Sequence, residues 1–271
     1  MITIICGDPR VGKTALMTSF AYTHLKGVQA HRDLRECNKL LAPLNAGGFS
    51  YTAPSDHLVF ADYTVCAGAN GSITNYEVDG FYLGLPNATH PTMFLPPASH
   101  VYLDEAQKYY DSRKKGLSDF VSRFYELHGH YRLNLTCTVQ RPKLIDLNIR
   151  ELAAQVIYVM NLTHKKISGR IVSSVWSCLV FDDVAAAIAF IEGGKQDMKH
   201  GKLTGYAFDG NIFRHYDSYD KRPLFFKDRY TSVFDLRHAV KTGYTLDEIQ
   251  DFNDQHDYTI PDTYYTINKS R

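Results

Sequence analysis

The sequence predicts an α/β fold in which a mainly parallel sheet is flanked by helices, and two observations predict it. Short apolar runs rich in β-branched residues alternate with segments whose apolar residues recur at helical spacing. The first run, residues 1–6, leads directly into residues 7–14. These read GDPRVGKT and match the phosphate-loop pattern G-x-x-x-x-G-K-[ST] in full. Together the two observations predict the P-loop NTPase fold.

The phosphate loop joins a strand to the N-terminus of a helix that starts near Ala15. There, unsatisfied backbone N–H groups and the positive end of the helix dipole bind polyphosphate. Lys13 is expected to reach the β- and γ-phosphates, and the Thr14 hydroxyl to ligate Mg²⁺. ATP is expected rather than GTP because the chain has no Asn-Lys-x-Asp guanine element. The residues predicted to bind the nucleotide are Gly7, Asp8, Pro9, Arg10, Val11, Gly12, Lys13, Thr14 and Ala15.

An acidic pair, Asp104 and Glu105, follows the apolar run 101–103. A carboxylate at the end of a strand can hold Mg²⁺, and a second one beside it can orient and deprotonate the attacking water. We therefore expect Asp104 to be a metal ligand and Glu105 a general base. The alternative is that both acids only begin a helix, where negative charge suits the helix dipole.

Two further catalytic candidates lie downstream. Gln140 ends the next predicted core strand, where an amide can sense the γ-phosphate or position water, and the alternative is an ordinary polar strand end. Arg150, on a short helix after Asp146, is the first choice for an arginine finger offered to a neighbouring subunit, with Arg141 as second choice. A solvated or locally paired arginine is the alternative for Arg150.

Composition excludes several classes of protein. Lys and Arg number 30 against 29 Asp and Glu, so any nucleic-acid surface must be local. Lys165, Lys166 and Arg170 either line a DNA path or form a solvated face. The five cysteines are scattered singly, which predicts a reducing compartment and argues against zinc. The sequence predicts neither a signal peptide nor a membrane-spanning helix, and hence a soluble chain.

The domain organisation is predicted as a P-loop core over residues 1–194 and a C-terminal extension over residues 195–271. A β-rich insertion, residues 45–97, is expected between the phosphate loop and the acidic pair. The extension is polar and Tyr-rich, and it is expected to form a small annex packed on the core. It contains one predicted helix with a capping box at residues 245–248, and the tail after residue 257 is expected to be extended.

Residues 95–107, LPPASHVYLDEAQ, resemble the "lppgs-hhhhDEaq" stretch in the ATPase domain of the zonula occludens toxin (Zot) family. The resemblance covers about residues 1–225. It continues through residues 109–113, His130, Asn134, residues 138–140, Asp146, residues 149–150, Trp176, residues 211–213 and residues 216–218.

This resemblance implies a filamentous-phage assembly ATPase that moves DNA for export or packaging. The implied partners are other copies of the chain in a ring, phage DNA (single-stranded in preference to double-stranded) and a separate membrane-anchored assembly subunit. Family members commonly carry a membrane-spanning helix after the ATPase and this sequence shows none, so either a separate subunit supplies the membrane anchor or the chain is a soluble packaging motor. The implied location is the host cytoplasm, at the inner membrane through that partner. The alternatives are a monomeric P-loop kinase and a nucleotide-dependent switch.

Overall fold

A computed structural model describes residues 1–47, 53–68, 71–78, 80, 83, 95–113, 117, 119–194 and 200–216. Ten strands are found in this part of the chain. They are β1 (Ile2–Gly7), β2 (Val59–Ala61), β3 (Cys66–Ala67), β4 (Ile73–Thr74), β5 (Tyr76–Glu77), β6 (His100–Leu103), β7 (Asn134–Thr138), β8 (Gln155–Ile167), β9 (Arg170–Phe181) and β10 (Lys202–Asp209).

Eight of these strands form one sheet in the order β10-β9-β8-β1-β7-β6-β2-β5. Neighbours from β8 to β5 run parallel, whereas β9 is antiparallel to both β8 and β10. β3 and β4 pair separately as a small antiparallel ribbon. The prediction of a mainly parallel sheet is confirmed.

Five helices accompany the sheet: α1 (Lys13–Leu25), α2 (Gly27–Ala46), α3 (Asp119–Leu127), α4 (Leu147–Glu151) and α5 (Val184–Glu192). Successive residues of β1 point to opposite faces of the sheet. Ile4 joins a core that contains Tyr125 of α3 and Phe190 of α5. Ile5 joins a second core that contains Leu16 and Met17 of α1. Helices therefore cover both faces of the sheet, as predicted.

Two features differ in detail from the sequence expectation. The stretch 45–97 contributes β2 and β5 to the main sheet as well as the separate ribbon. The stretch after residue 194 contributes β10, which was not predicted as a strand. Most side chains of β10 are exposed or half-buried, so it lacks the apolar run that marks a core strand. Residues 217–271, including the predicted helix and the extended tail, lie outside the described part, and the division into domains stays a prediction.

Within the described residues, no helix combines the length and the apolar character needed to cross a membrane.

Candidate nucleotide site

The phosphate loop begins where the buried strand β1 ends, at the carboxyl edge of the parallel sheet. Gly7 has φ 146°, and a Cβ there would lie 2.6 Å from the carbonyl oxygen of Val159 on β8. Gly12 has φ 87°, and its Cβ would lie 2.6 Å from Cδ2 of Leu162. Gly7 therefore requires glycine for the backbone angle and for the space, and Gly12 requires it for the backbone angle.

The first turn of α1 presents its N–H groups at the loop. Gly12 precedes the helix in the left-handed conformation, and no side chain caps it. These donors suit an anion, since phosphate oxygens can take the place of a capping side chain. The ammonium of Lys13 donates to the carbonyl oxygens of Gly7 at 3.1 Å and Asp8 at 2.8 Å. Burial lowers the pKa of Lys13, and the negative charges of Asp104 and Glu105 oppose that shift.

Three oxygen-bearing side chains meet beside the start of α1. The Thr14 hydroxyl donates to Oδ1 of Asp104 at 2.9 Å, which joins residues 90 positions apart. The Thr138 hydroxyl, at the end of β7, donates to the same oxygen at 2.5 Å. It also accepts the backbone N–H of Glu105 at 2.8 Å. The structure thus brings the two predicted Mg²⁺ ligands into contact and adds Thr138, which sequence reasoning missed.

This cluster suits Mg²⁺, a hard cation that takes oxygen ligands in octahedral geometry at about 2.0–2.1 Å. Adjacent ligands of such an octahedron are about 2.9 Å apart. The separation of Thr14 Oγ1 and Asp104 Oδ1 is 2.9 Å. The residues present therefore fit the predicted metal, with Thr14 and Asp104 as the side chains that would hold it.

Glu105 stands in a strained conformation at the end of β6. Its φ is 49°, in the left-handed region, which costs an L-residue other than glycine about 1–2 kcal/mol. The bond from its N–H to Thr138 holds the peptide in place. Its side chain is exposed, and it directly follows the metal-ligand candidate Asp104 in the sequence. Strain of this kind is typical of functional positions.

Asp62 supports the same strand end from the adjacent strand. Its Oδ1 accepts the backbone N–H of Asp104 at 2.8 Å. Its Oδ2 accepts the Tyr109 hydroxyl at 2.9 Å and lies 3.0 Å from Nζ of Lys108. Burial raises the pKa of Asp62 to about 6, although the charge of Lys108 lowers it. The signal in the sequence was an acid directly after the apolar run 58–61, in a second strand ending at this edge.

Gln140 is exposed and lies two residues beyond Thr138. It lines an open cavity of about 530 Å³ beside the phosphate loop. On the loop side the cavity is bounded by Asp8 and Tyr158, whose hydroxyl donates to the Asp8 carboxylate at 3.4 Å. Arg141, the second-choice arginine finger, lines the same cavity. Gln140 therefore lies close to the loop, while the hydroxyl in contact with Asp104 belongs to Thr138.

Arg150 lies half-buried on α4, a short helix capped by the Asp146 side chain, which accepts the N–H of Asn148. Two other cations of this segment are paired. Arg132 contacts Glu36, and Lys143 lies 2.5 Å from Glu192. No described contact joins Arg150 to the phosphate loop of its own chain. Its predicted role in a neighbouring subunit stays a prediction.

β8 and β9 form a hairpin with an exposed basic tip, residues 165–170, which is called the basic hairpin below. The hairpin projects from the sheet, and its base lies near the phosphate loop. β8 pairs with β1 only as far as Val159, and β10 pairs with β9 only from Ser173 onward, so the tip contacts neither strand. All of residues 165–170 are exposed, including Lys165, Lys166 and Arg170.

At the base of this hairpin, Trp176 donates its indole N–H to the carbonyl oxygen of Gly12 at 3.0 Å.

The fold resembles several solved structures, and three of them align with this chain over most of their own length. The N-terminal domain of zonular occludens toxin from Neisseria meningitidis has a TM-score of 0.45 and 15% identity, over 80% of this chain and 98% of that one. B204, the DNA-packaging ATPase from Sulfolobus Turreted Icosahedral Virus, has a TM-score of 0.34 and 16% identity, over 69% and 93%. The flagellar accessory protein FlaH from Methanocaldococcus jannaschii has a TM-score of 0.29 and 14% identity, over 66% and 84%.

No family model matches the sequence, and no curated protein matches it. A domain of the family that residues 95–107 resemble is thus among the structures similar to this chain.

Proposed function

We propose that this protein is an ATP-hydrolysing motor for phage virion assembly that drives DNA extrusion or packaging. The observation that carries the proposal is the contact of Thr14 and Thr138 with one oxygen of Asp104, beside the phosphate loop. A loop that only binds phosphate does not need this arrangement. A site that transfers a phosphoryl group from a magnesium-bound nucleotide does, because metal, phosphate and acceptor must be held in one geometry. Glu105 beside Asp104 favours water over a metabolite as the acceptor.

Each group has a separate task in this proposal. The N–H groups that open α1 and the ammonium of Lys13 hold the phosphates of ATP. Thr14 and Asp104 hold Mg²⁺, which neutralises charge on the phosphates when bound. Glu105 accepts the proton of the attacking water, and Thr138 fixes the peptide that carries Glu105. Gln140 positions that water from the cavity side.

The basic hairpin is the proposed DNA contact. Its cations, Lys165, Lys166 and Arg170, are exposed and clustered at one tip, which suits the phosphate backbone of single-stranded DNA. The chain is nearly neutral as a whole, so this local patch has to supply the attraction. We further propose a homo-oligomeric ring in which Arg150 completes the site of a neighbour, and a separate membrane-anchored subunit that holds the ring at the inner membrane of the host.

The test measures ATP hydrolysis with no DNA, with single-stranded DNA and with double-stranded DNA. We expect single-stranded DNA to stimulate hydrolysis more than double-stranded DNA does. A variant in which Lys165, Lys166 and Arg170 are all glutamine should lose the stimulation. A plot of log affinity for single-stranded DNA against log salt concentration should have a slope shallower by about 2 in this variant, since each of the three phosphate contacts contributes about 0.7 to the slope. The matched control replaces Arg32, Arg35 and Lys39, three exposed cations of α2, by glutamine.

Two outcomes would favour other functions. Transfer of the γ-phosphate to a small molecule, with no response to DNA, would favour a monomeric kinase. Tight ATP binding without turnover in any oligomer would favour a nucleotide-dependent switch. If DNA stimulated ATP hydrolysis equally in the hairpin variant and the wild type, the hairpin would not be the DNA contact. The proposed hydrolytic site would be unaffected by that result.

A further inference from the structure

Three elements meet at a second polar cluster, away from the phosphate loop. His24 lies in the last turn of α1, Asp33 in α2, and His100 at the start of β6. Their side chains are only 19%, 10% and 11% exposed. Oδ2 of Asp33 lies 2.6 Å from Nδ1 of His24 and 3.4 Å from Nε2 of His100. Two imidazole nitrogens thus converge on one carboxylate oxygen.

The two contacts of Asp33 differ in length, although both histidines lie within ion-pair distance of its carboxylate. A distance of 2.6 Å joins His24 to Asp33 in a short hydrogen bond. The 3.4 Å from His100 exceeds the usual 2.7–3.2 Å of an N–H···O bond. The two imidazole rings lie against each other, with centroids 3.6 Å apart and an interplanar angle of 28°. Stacking on His24 and the ion pair with Asp33 hold His100 with one ring nitrogen directed at the carboxylate.

The distances suit a shared metal ion. In a tetrahedral site with bonds of about 2.0–2.1 Å, neighbouring ligand atoms are about 3.3 Å apart. The pair His100 and Asp33 already has this spacing, and the ligand atoms of all three residues lie within 4.8 Å of one another. The pair His24 and Asp33 would have to open by about 0.7 Å, and the stacked rings would have to move from 3.6 Å to about 5 Å between centroids, the spacing of two imidazoles on one tetrahedral ion. His24 is the most exposed of the three, so its ring is the one with room to move.

The carboxylate is also oriented as a metal ligand usually is. The side-chain amide of Gln29, one helical turn before Asp33, donates to Oδ1 of Asp33 at 3.0 Å. This bond leaves Oδ2 for the two histidines. Ligating carboxylates are commonly held by such an outer hydrogen bond, and its loss typically weakens metal binding about 10- to 100-fold.

We propose that His24, Asp33 and His100 bind a divalent transition-metal ion of the zinc class, with water in the fourth position. Two imidazoles and one carboxylate select such an ion over Mg²⁺, which takes oxygen ligands. Sequence reasoning missed the site because 76 positions separate His24 from His100 and no motif links them.

The position of this site suggests what the ion does. Lys13 and His24 stand at opposite ends of α1, about 16 Å apart at 1.5 Å per residue. Likewise, His100 begins β6 and Asp104 directly follows its last residue, Leu103. The ion would therefore join α1 to β6 at one end, while Thr14 and Asp104 join them at the nucleotide end. The ion would cross-link α1 and β6 at the end away from the nucleotide, and it would be separate from Mg²⁺.

The experiment uses the full chain, stripped of metal with EDTA and free of nucleotide. Zn²⁺ is titrated in competition with a chromophoric chelator in excess Mg²⁺, and Co²⁺ binding is followed by visible absorption. The variants are His24→Ala, Asp33→Asn and Gln29→Ala. His31→Ala is the matched control, because His31 is an exposed histidine of the same helix as Asp33. Thermal unfolding with and without Zn²⁺ is measured for each protein.

We expect the wild type and His31→Ala to bind one tight Zn²⁺ and to give the intense Co²⁺ bands of a four-coordinate site. Affinity should fall more than about 100-fold in His24→Ala and Asp33→Asn, and about 10-fold in Gln29→Ala. Zn²⁺ should raise the melting temperature only where the site is intact. Should His24→Ala fail to fold, the near-isosteric Asp33→Asn carries the same comparison.

Equal Zn²⁺ affinity in the wild type and in Asp33→Asn would overturn the proposal. So would a wild type that binds Zn²⁺ no more tightly than it binds Mg²⁺. The cluster would then be a hydrogen-bonded packing unit only. None of these outcomes depends on ATP hydrolysis, so they leave the proposed function untouched.

Discussion

The indole N–H of Trp176 donates to the carbonyl oxygen of Gly12 at 3.0 Å, and the backbone N–H of Leu16 donates to the same oxygen at 2.9 Å. One peptide group therefore joins the phosphate loop, the first turn of α1 and the basic hairpin. Trp176 is fully buried, and Leu162 of the facing strand packs on Gly12 beside it. A loop that shifts when phosphate binds must move against the base of the hairpin.

Trp176→Phe should weaken the connection between the loop and the hairpin. Phenylalanine keeps most of the apolar bulk but lacks the N–H donor. The free energy of unfolding should fall by about 1 kcal/mol from the lost bond, plus the cost of the smaller ring, because Gly12 keeps its bond from Leu16. The stimulation of ATP hydrolysis by single-stranded DNA should fall more than hydrolysis without DNA does. Tyr206→Phe, on the strand that pairs with Trp176, is the control. An unchanged stimulation would exclude this connection.

Thr138→Val should reduce turnover more than ATP binding. Valine has the same shape but cannot donate to Asp104 or accept from the N–H of Glu105. Misplacing the Glu105 carboxylate by about 1 Å is enough for a loss of about 10²-fold. Thr138→Ser, which keeps the hydroxyl, should stay close to the wild type. Steady-state kinetics check this, and similar losses in kcat for both variants would rule out the role of the hydroxyl.

Glu105→Gln and Asp104→Asn should separate proton transfer from metal binding. Glu105→Gln should retain ATP and Mg²⁺ binding and lose turnover by about 10²-fold or more, the scale of a lost general base. Asp104→Asn should weaken the dependence of ATP binding on Mg²⁺. Calorimetry at several Mg²⁺ concentrations, combined with hydrolysis rates, measures both effects. If Glu105→Gln instead weakened metal binding, the two assigned roles would be reversed.

Lys13→Ala should abolish nucleotide binding or turnover. Its ammonium already lies against the loop carbonyls, and among the described residues no other cation makes that contact. Lys39→Ala, which removes an exposed cation of α2, should have no effect. Binding of a fluorescent ATP analogue and hydrolysis are the measurements. Hydrolysis within about threefold of the wild type would be incompatible with the assigned role of the phosphate loop.

Arg150→Ala should slow hydrolysis, since an arginine finger accelerates phosphoryl transfer by about 10³–10⁵. Specific activity of the wild type should rise with protein concentration as subunits assemble. Mixing Arg150→Ala with Lys13→Ala should restore part of the activity, because some mixed interfaces combine an intact loop with an intact finger. A mixture that assembles but stays inactive would contradict a role in trans, and Arg141 would be tested next.

The sequence was sufficient for the parallel core and for the nucleotide edge of the sheet. A complete loop motif and an acidic pair after an apolar run both mark strand ends, and parallel strands place those ends at one edge. The contact between Thr14 and Asp104 follows from that geometry. The chemical roles of these residues stay predictions, as do those of Gln140 and Arg150.

The remaining features depend on tertiary contacts that leave no local pattern. Thr138 and Asp62 act through hydrogen bonds to the backbone of the neighbouring strand, and a single threonine or aspartate at a strand end is common in any protein. β10 is an edge strand with few buried side chains, so periodicity did not reveal it. The histidines of the proposed zinc site come from elements far apart in sequence.

Under the proposed role of Glu105 as general base, the left-handed backbone at residue 105 lowers stability at a position that turnover requires. Glycine at this position would relieve strain of about 1–2 kcal/mol and cost about 0.4–1 kcal/mol in unfolded-chain entropy, a net gain in stability. A screen that rewarded only resistance to heat would therefore favour glycine here and discard the carboxylate. Thermostable variants of this chain are best sought away from residue 105, with turnover monitored at every round.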